Sequence, residues 1–337
     1  MIEDHWHIAC PSTAVVDSPF AVVMFSQYLV LFRDEQGKSV AVEDRCAHRN
    51  MPLHLGKIVS GCIQCPYHGW SYQGNGELTH VPADADNDLI CKKIKINAYP
   101  CIEQDGYIWV CLSKNVAVVQ PPRFPNVDKV GWVTFRMENI FNSSVENCLE
   151  NFLDIPHATF VHRFLFRSNL SKSIAATVYE TEDGAVAEFS NEPREKSLVF
   201  KVLSSAATAL KHTDRFIAPS MSRVDYIFSD NRHYMISSFC TPVDDVTTKV
   251  FTVVTYKYKY FGLLVRLIFE PLAQIIIAQD VKTLRAQQEN VNKFGGEKFI
   301  SAPQDLMRRH ILTWREAMRH GKKRVPDKKK KIVNIRV

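Results

Sequence analysis

Cys46-Ala47-His48 and, after sixteen intervening residues, Cys65-Pro66-Tyr67-His68-Gly69-Trp70 decide how the rest of this chain is read. Each segment pairs one cysteine with one histidine, C-x-H first and C-x-x-H second. Four such donors point to a metal. Zinc would accept any S₂N₂ set, but its sites usually keep like ligands together, C-x₂₋₄-C with H-x₃₋₅-H. Mixed pairs of unlike spacing suit a two-iron cluster, with one iron on two thiolates and the other on two imidazoles. Cys62-Ile63-Gln64-Cys65 is a C-x-x-C that alone would suggest redox or zinc chemistry. Cys65 already has a place among the four donors, so Cys62 reads as a bystander. Cys10, Cys91, Cys101, Cys111, Cys148 and Cys240 show no other metal-ligand spacing and read as buried thiols.

The surroundings of these segments read as β-structure. Short apolar runs at Ala21–Met24, Tyr28–Phe32 and Val40–Val42 are separated by turn signals such as Asp34-Glu35-Gln36-Gly37. Tyr107–Leu112 follows the turn Gln104-Asp105-Gly106. Short strands with few helical stretches predict a small sandwich or barrel. The Pro-containing stretch from Gln120 to Pro125 reads as a linker. The expected domains are residues 1–118 and 119–320, with 321–337 as a basic tail.

Further on, residues 145–161 look helical. Ala185–Phe189, Ser197–Leu203, Val224–Ser229, Tyr234–Phe239 and Lys249–Tyr256 look like strands. Phe261–Ala278 is apolar over 18 residues, long enough for a membrane span. Arg266, Glu270 and Gln274 form a polar stripe within it, and Pro271 interrupts it. It therefore predicts one or two buried amphipathic helices, the second starting at Pro271 and running to about Val291. A last helix is expected over roughly Pro303–Arg319.

The chain has 337 residues, is 46% hydrophobic and carries a net charge of +6. Residues 305–337 hold twelve Lys/Arg against three Asp/Glu, so the basic character belongs to the tail. No basic stripe with interleaved aromatics runs through the rest, and a nucleic-acid partner is not expected. Lys328–Lys331 reads as a solvated terminus; the alternative is docking to an acidic protein or peripheral contact with an anionic membrane. The opening MIEDHWHIAC lacks the apolar core of a secretory signal. Nine cysteines without such a signal predict a reducing, cytoplasmic setting.

A second constellation runs from Asn151 to His162, with Asp154, His157 and His162 inside it. Two histidines five apart end up roughly 140° apart on an ideal helix. A bend must intervene before both can reach one metal, and Pro156 supplies a reason for one. Alone, the segment reads equally well as satisfied polar side chains at a helix end.

Together the two constellations carry a resemblance. C-x-H followed by C-x-x-H, with the sequence CPYHGW, matches the Rieske signature. The form N-x-x-D-x-x-H-x₄-H downstream resembles the ligand helix of Rieske non-heme iron oxygenases, most closely the vanillate and dicamba demethylase branch. Gln287-Gln288-Glu289, Ser301–Asp305 and Trp314-Arg315 also resemble the pheophorbide-oxygenase-like branch. The resemblance extends from Trp6 to the helix around Leu306–Met318 and points to the terminal oxygenase (alpha) component.

The resemblance implies an α+β fold: an N-terminal all-β Rieske domain, then a helix-grip (START-like) catalytic domain with an antiparallel sheet. It implies that Cys46 and Cys65 bind one iron of a [2Fe–2S] cluster, and His48 and His68 the other. It implies that His157 and His162 bind a mononuclear Fe(II) that needs one carboxylate to complete a facial triad. Asp280 is assigned to that place, because it lies on a late helix in an apolar run where an unpaired carboxylate is costly. Glu270, able to pair with Arg266, and Glu289, in a polar stretch, are its competitors. Asp154 is implied to join a cluster histidine of one subunit to an iron-ligand histidine of its neighbour, hence a homotrimer. Asn151 is placed near the open iron positions.

The activity so implied uses O₂ to hydroxylate or oxidatively demethylate a small apolar, cyclic substrate. Electrons would come from NAD(P)H through a separate ferredoxin or reductase, as no G-x-G-x-x-G is present. Two other classes compete: a Rieske electron carrier without a catalytic metal, and a helix-grip ligand-binding module with structural zinc. Iron per chain separates the first from the oxygenase, and colour separates the second.

Overall fold

A computed structural model describes residues 1–84, 93–113, 116, 120–163, 165, 173–190, 210–228, 232–258 and 262–336. The expected strand Ser197–Leu203 and Cys91 lie outside the described residues. The chain divides into two compact units, residues 3–123 and 124–337.

The first unit is built of strands β1 (His7–Pro11), β2 (Phe20–Met24), β3 (Gln27–Arg33), β4 (Ser39–Glu43), β5 (Lys57–Val59), β6 (Cys62–Gln64), β7 (Ser71–Tyr72), β8 (Leu78–His80), β9 (Ala98–Tyr99), β10 (Cys101–Gln104) and β11 (Tyr107–Val110). They make three small sheets in the orders β1-β11-β10, β2-β3-β4-β9 and β5-β6-β7-β8. β3 shows why the unit holds together. Successive side chains of a strand point to opposite faces. Val30 and Phe32 enter a core shared with Cys46, Cys65 and Tyr72. Leu29 and Leu31 enter a second core with Cys10, Ile108 and Val110. One strand thus stitches two apolar clusters. The turn after it is closed by Asp34, whose Oδ1 accepts from the N–H groups of Gln36 and Lys38 at 3.0 and 2.9 Å. Gly37 takes the left-handed φ of +77° there.

The second unit is one eight-stranded antiparallel sheet with helices against it. Its strands are β12 (Val133–Phe141), β13 (Ser173–Thr181), β14 (Gly184–Ser190), β15 (Leu210–Ile217), β16 (Met221–Phe228), β17 (His233–Pro242), β18 (Thr248–Lys257) and β19 (Lys331–Arg336). Their order is β12-β18-β17-β16-β15-β14-β13-β19. The helices are α1 (Val145–Phe152), α2 (Gly262–Lys293) and α3 (Arg308–Arg319). α1 starts where Ser144 accepts from the Asn147 N–H at 3.3 Å, a side-chain cap. α3 is fixed to it by Arg315, which is buried and donates to Glu146 at 2.7 Å, to the Pro219 carbonyl at 2.6 Å and to Ser220 at 2.9 Å.

Three sequence expectations change. The helical reading of 145–161 divides into α1 and a 3₁₀ turn, Pro156–Thr159. Of Phe261–Ala278, residues 262–278 belong to one 32-residue helix, Gly262–Lys293, that runs through Pro271, and Phe261 lies outside the described residues. That helix is not wholly buried: Leu264, Leu267, Ile268 and Ile275 are exposed on it. The stretch read as a solvated tail ends in β19, paired with β13, and its Ile335 is buried. Glu180 of β13 ties down the approach: it accepts from the Asp327 N–H at 2.8 Å and from His310 Nδ1 at 2.9 Å, and pairs with Arg324. Burial pushes the Glu180 carboxyl up, but these partners outweigh it and hold it below the ordinary carboxylate range. Among the described residues no helix is long and apolar enough to cross a membrane.

Candidate metal centres and substrate cavity

The first constellation becomes two matching loops. The Cys46 N–H donates to the Met51 carbonyl at 2.9 Å, and the Asn50 N–H returns to the Cys46 carbonyl at 2.9 Å. The Cys65 N–H donates to the Trp70 carbonyl at 2.8 Å, and the Gly69 N–H returns to the Cys65 carbonyl at 3.1 Å. Each loop closes through a left-handed residue, Asn50 at φ 59° and Gly69 at φ 73°. A Cβ on Gly69 would also meet Pro82 Cγ at 2.8 Å. Both cysteines are buried, and the imidazoles of His48 and His68 lie 4.6 Å apart between centroids. His48 stacks on Trp70 at 4.5 Å and 5°. Its Nδ1 is shielded from solvent yet has no hydrogen-bond partner. Two buried sulfurs and an orphaned ring nitrogen at the outer edge fit a cluster held by thiolates inside and imidazoles outside. Tyr72, which the sequence did not single out, places its hydroxyl 3.3 Å from Cys46 Sγ and accepts from the Ala47 N–H at 3.2 Å. Burial and the neighbouring Cys46 push that phenol far up, so it stays protonated.

The second constellation converges with α2. Beyond Pro156 the Val161 N–H bonds to the His157 carbonyl at 2.8 Å and the His162 N–H to the Ala158 carbonyl at 3.2 Å. This extra turn, offset from α1, carries His162 round to the side of His157. Their Nε2 atoms are 3.3 Å apart. Asp280 Oδ1 lies 3.1 Å from His162 Nε2 and 3.5 Å from His157 Nε2. All three donor atoms fall within 4.8 Å of one another.

The helical period explains why Asp280 is the carboxylate that arrives. Phe269, Ala273, Ile276 and Asp280, spaced four, three and four, form one stripe of α2 that lines an internal cavity. Glu289 is exposed, and Glu270 is taken by Arg266 at 2.7 Å. Asp280 is buried, and its Oδ1 lacks a hydrogen-bond partner. Burial raises its carboxyl, but the two imidazoles outweigh that and hold it below the usual range. Burial likewise opposes charge on His157, yet Asp154 and Asp280 push it up to about 10. The site thus favours positive charge, as a facial triad for a divalent metal requires.

The ring nitrogens facing away from this point are also held. His157 Nδ1 bonds to the Asp154 backbone carbonyl, with the Asp154 carboxylate 3.6 Å away. His162 Nδ1 donates to Gln279 Oε1 at 2.8 Å. Gln279 is a functional candidate the sequence reading missed, and no sequence signal marks it. Asn151 is not among the residues lining the cavity that holds all three triad side chains. It lines a second, more polar cavity together with Asp154, His157 and the α2 residues Thr283, Leu284 and Gln287, and its Oδ1 is orphaned. Cys62 sits on β6 and touches Thr79.

The cavity beside the triad contains about 980 Å³ of atom-free space, part of it open to solvent. Its floor is the inner face of the sheet, and register sets its chemistry. Ser222, Ser238 and Thr252 lie in one row across β16, β17 and β18, with Ser238 and Thr252 hydrogen-bonded at 3.0 Å. Two residues along each strand comes an aliphatic row, Val224, Ile236 and Val254. Another two along comes a tyrosine row, Tyr226, Tyr234 and Tyr256, with Phe269 packed 4.5 Å from Tyr234. β15 adds His212 and Asp214 to the wall.

A β-unit with two Cys-His loops, joined in one chain to a sheet that cradles a His/His/Asp triad, defines a two-centre iron protein of oxygenase type. Comparison with known proteins specifies the family. Residues 5–100 match the Rieske [2Fe-2S] domain, and residues 141–320, more than half the chain, match the vanillate O-demethylase oxygenase C-terminal domain. The chain belongs to this family of Rieske oxygenases, whose members imply a Rieske cluster and a mononuclear iron. It is 34% identical over 173 residues to the chloroplastic chlorophyllide a oxygenase of Arabidopsis thaliana, covering 50% of this chain and 31% of that protein. It is 26% identical over 261 residues to methylxanthine N3-demethylase of Pseudomonas putida, covering 74% of this chain and 72% of that one. The chain therefore spans under a third of the chlorophyllide a oxygenases it matches. In fold it is similar to dicamba monooxygenase bound to 3,6-dichlorosalicylic acid, with a TM-score of 0.83, 19% identity, and coverage of 95% of this chain and 98% of that one.

Proposed function

We propose that this chain is the terminal oxygenase of a multicomponent system that hydroxylates or oxidatively demethylates an apolar, cyclic substrate. The observation that carries this reading is the meeting of His157, His162 and Asp280 within 4.8 Å beside an apolar cavity, in a chain that also has the Cys-His loops. In this reading Cys46, Cys65, His48 and His68 hold the cluster, and His157, His162 and Asp280 hold the iron. Bound there, iron supplies activation of O₂ next to the substrate. The residues do the rest. The α2 stripe and the sheet floor exclude water and orient the ring system. Gln279 and the Asp154 carbonyl fix the two imidazoles with Nε2 inward. The Asp154 carboxylate connects the triad to a cluster histidine, which in a homotrimer belongs to the neighbouring subunit. Asn151 borders the triad from the polar cavity.

The balance is one C–H bond and O₂, with two electrons and two protons, giving one C–OH bond and water. Where the carbon is an O- or N-methyl, the product then releases formaldehyde. Electrons enter from a separate ferredoxin or reductase and ultimately from NAD(P)H. The methylxanthine demethylase relatives support a cyclic substrate. All eight described cysteines are free, which supports a reducing, cytoplasmic setting. The exposed lysines before β19 remain the candidate for peripheral membrane or acidic-partner contact.

Iron quantitation on the purified red-brown protein tests the class. About three irons per chain are expected, against about two for a carrier with the cluster alone. Product analysis with a reductase, NADH and a panel of cyclic substrates tests the activity. A colourless zinc protein, or two irons with no product, overturns the reading.

A further inference from the structure

Three hydroxyls on the cavity floor carry more hydrogen-bond donors than the protein uses. Ser222, Ser238 and Thr252 are buried, line the cavity and stand side by side across β16, β17 and β18. Each hydroxyl has one proton to donate and two lone pairs to accept with. Ser238 and Thr252 bond to each other at 3.0 Å, which engages one proton. Ser222 has no hydrogen-bond partner among the described residues, and neither Ser238 nor Thr252 has a second one. Two of the three protons are therefore without an acceptor. Other buried hydroxyls of this sheet are satisfied within the chain: Thr248 donates to the Ser143 carbonyl at 2.8 Å, and Thr255 to the Pro125 carbonyl at 3.2 Å. Buried polar groups are normally paired, so two idle donors side by side in a cavity wall point to a ligand atom that accepts from them.

Strand register fixes the spacing of that pair. Ser222 and Ser238 sit directly opposite each other on β16 and β17. Side chains so placed on an antiparallel pair lie about 4.5–5.5 Å apart. One oxygen between them is within reach of both, since O–H···O bonds are about 2.7–2.8 Å long. With Thr252 donating to Ser238, the two remaining protons belong to Ser222 and Ser238, and the Thr252 bond polarises the Ser238 hydroxyl. A carbonyl oxygen has two lone pairs and can take both protons. A ligand N–H occupies a lone pair of the row but leaves the protons idle, and a hydrocarbon satisfies neither.

The neighbours of the row place it along the cavity. Cys240 and Val250, two residues along β17 and β18, share a core with Ile277, three residues before Asp280 on α2. In the other direction the aliphatic and tyrosine rows lead to Phe269. The hydroxyls thus stand on the triad half of the floor, with the hydrocarbon-lined half beyond them. We propose that Ser222 and Ser238 form a two-donor subsite for a carbonyl oxygen of the cyclic substrate, as in a ring ketone, an aryl ketone or a lactam. In this arrangement Thr252 is the positioning residue for Ser238. The proposal rests on the oxygenase reading only for the word substrate, since it concerns what binds.

Matched probes test it by equilibrium dialysis against the purified holoprotein: 1-tetralone with tetralin, and 2-acetylnaphthalene with 2-ethylnaphthalene. Each ketone is expected to bind at least as tightly as its hydrocarbon, although the hydrocarbon gains more by leaving water. In Ser222→Ala and in Ser238→Ala each ketone should bind about fivefold to tenfold weaker, the size of one neutral hydrogen bond, while its hydrocarbon stays within about twofold. Thr252→Val keeps the shape and removes only the hydroxyl, and should weaken the ketones about threefold. A purely structural role would weaken both members of a pair alike and leave their ratio unchanged. Retained hydrocarbon binding reports that the cavity of a variant is intact, and a serine variant that loses it is replaced by the corresponding Ser→Cys, whose thiol is a poor donor. Tighter binding of the hydrocarbons to the unsubstituted protein, failure of both ketones to bind, or an unchanged ratio at either serine overturns the proposal. No turnover is involved, so absence of product in the iron and product tests sinks the oxygenase reading without touching this result.

Discussion

The two candidate metal centres of this chain are assembled in contrasting ways. In the proposed reading the Cys-His centre draws all its donors from residues 46–68, on two loops that each close by their own backbone hydrogen bonds. The triad reaches from His157 to Asp280 and exists only because α2 lies across the sheet with one stripe facing inward. A local centre needs little more than its loops. A distant one is a property of the whole unit, and every element between its ligands helps to place it. The lesson is that loss of one centre should leave the other standing, and that neighbours should matter more at the second.

The sharpest way to break this comparison is to remove a cluster donor. His68→Ala is expected to abolish the Rieske absorption and EPR signals, while the triad still takes up about one iron per chain. Retention of the full spectrum would remove His68 from the ligand set. Next in size, His162→Ala or Asp280→Ala should leave the cluster spectrum intact and reduce product to background. Full turnover by Asp280→Ala, with loss in Glu270→Ala or Glu289→Ala, would move the third ligand.

Asp154→Asn should keep both metals and the oligomer but slow cluster-to-iron electron transfer about 10–100-fold, since an amide replaces an anionic acceptor. Single-turnover mixing of reduced protein with O₂ and substrate measures this. Wild-type cluster oxidation in the variant, or native mass spectrometry showing an active monomer, would refute the relay across subunits. The smallest effect is expected from Gln279→Leu, which leaves His162 in place but removes its orienting partner. Iron affinity should fall about tenfold in a chelator competition, with no change at the cluster. Unchanged affinity would mean that packing alone holds His162.

Legibility in the sequence followed the same division. The Cys-His loops were readable because spacing carried the chemistry. β3, β4, β14, β17 and β18 were readable because their apolar residues recur in short runs. β15 was missed for a reason tied to the cavity: its inward residues are Leu210, His212, Asp214 and Phe216, so the two central positions that should look apolar are polar. β19 was hidden by the lysine run before it, although Val333 and Ile335 alternate as a strand requires. Gln279 was invisible because nothing in one sequence says that a glutamine beside a buried carboxylate faces a histidine over 100 residues earlier. The offset turn between His157 and His162 was foreseen from Pro156, but the partner on His157 Nδ1 was not. A side chain was expected there; the Asp154 carboxylate does lie 3.6 Å from Nδ1, and the main-chain carbonyl bonds to the ring as well.

That bond, from His157 Nδ1 to the Asp154 carbonyl, has a consequence for how this site can drift and be probed. Every residue type carries a carbonyl, so no replacement of Asp154 deletes the contact. Codon-by-codon scanning will register only the carboxylate and will under-count what position 154 does. The imidazole keeps its tautomer through any genetic change that preserves the local turn. Weakening it takes a change to the backbone itself, such as an ester in place of the amide between Asp154 and Ile155, which makes that carbonyl a poorer acceptor. Tuning of the iron environment by substitution is therefore channelled away from His157 and toward His162, whose second nitrogen depends on a replaceable side chain.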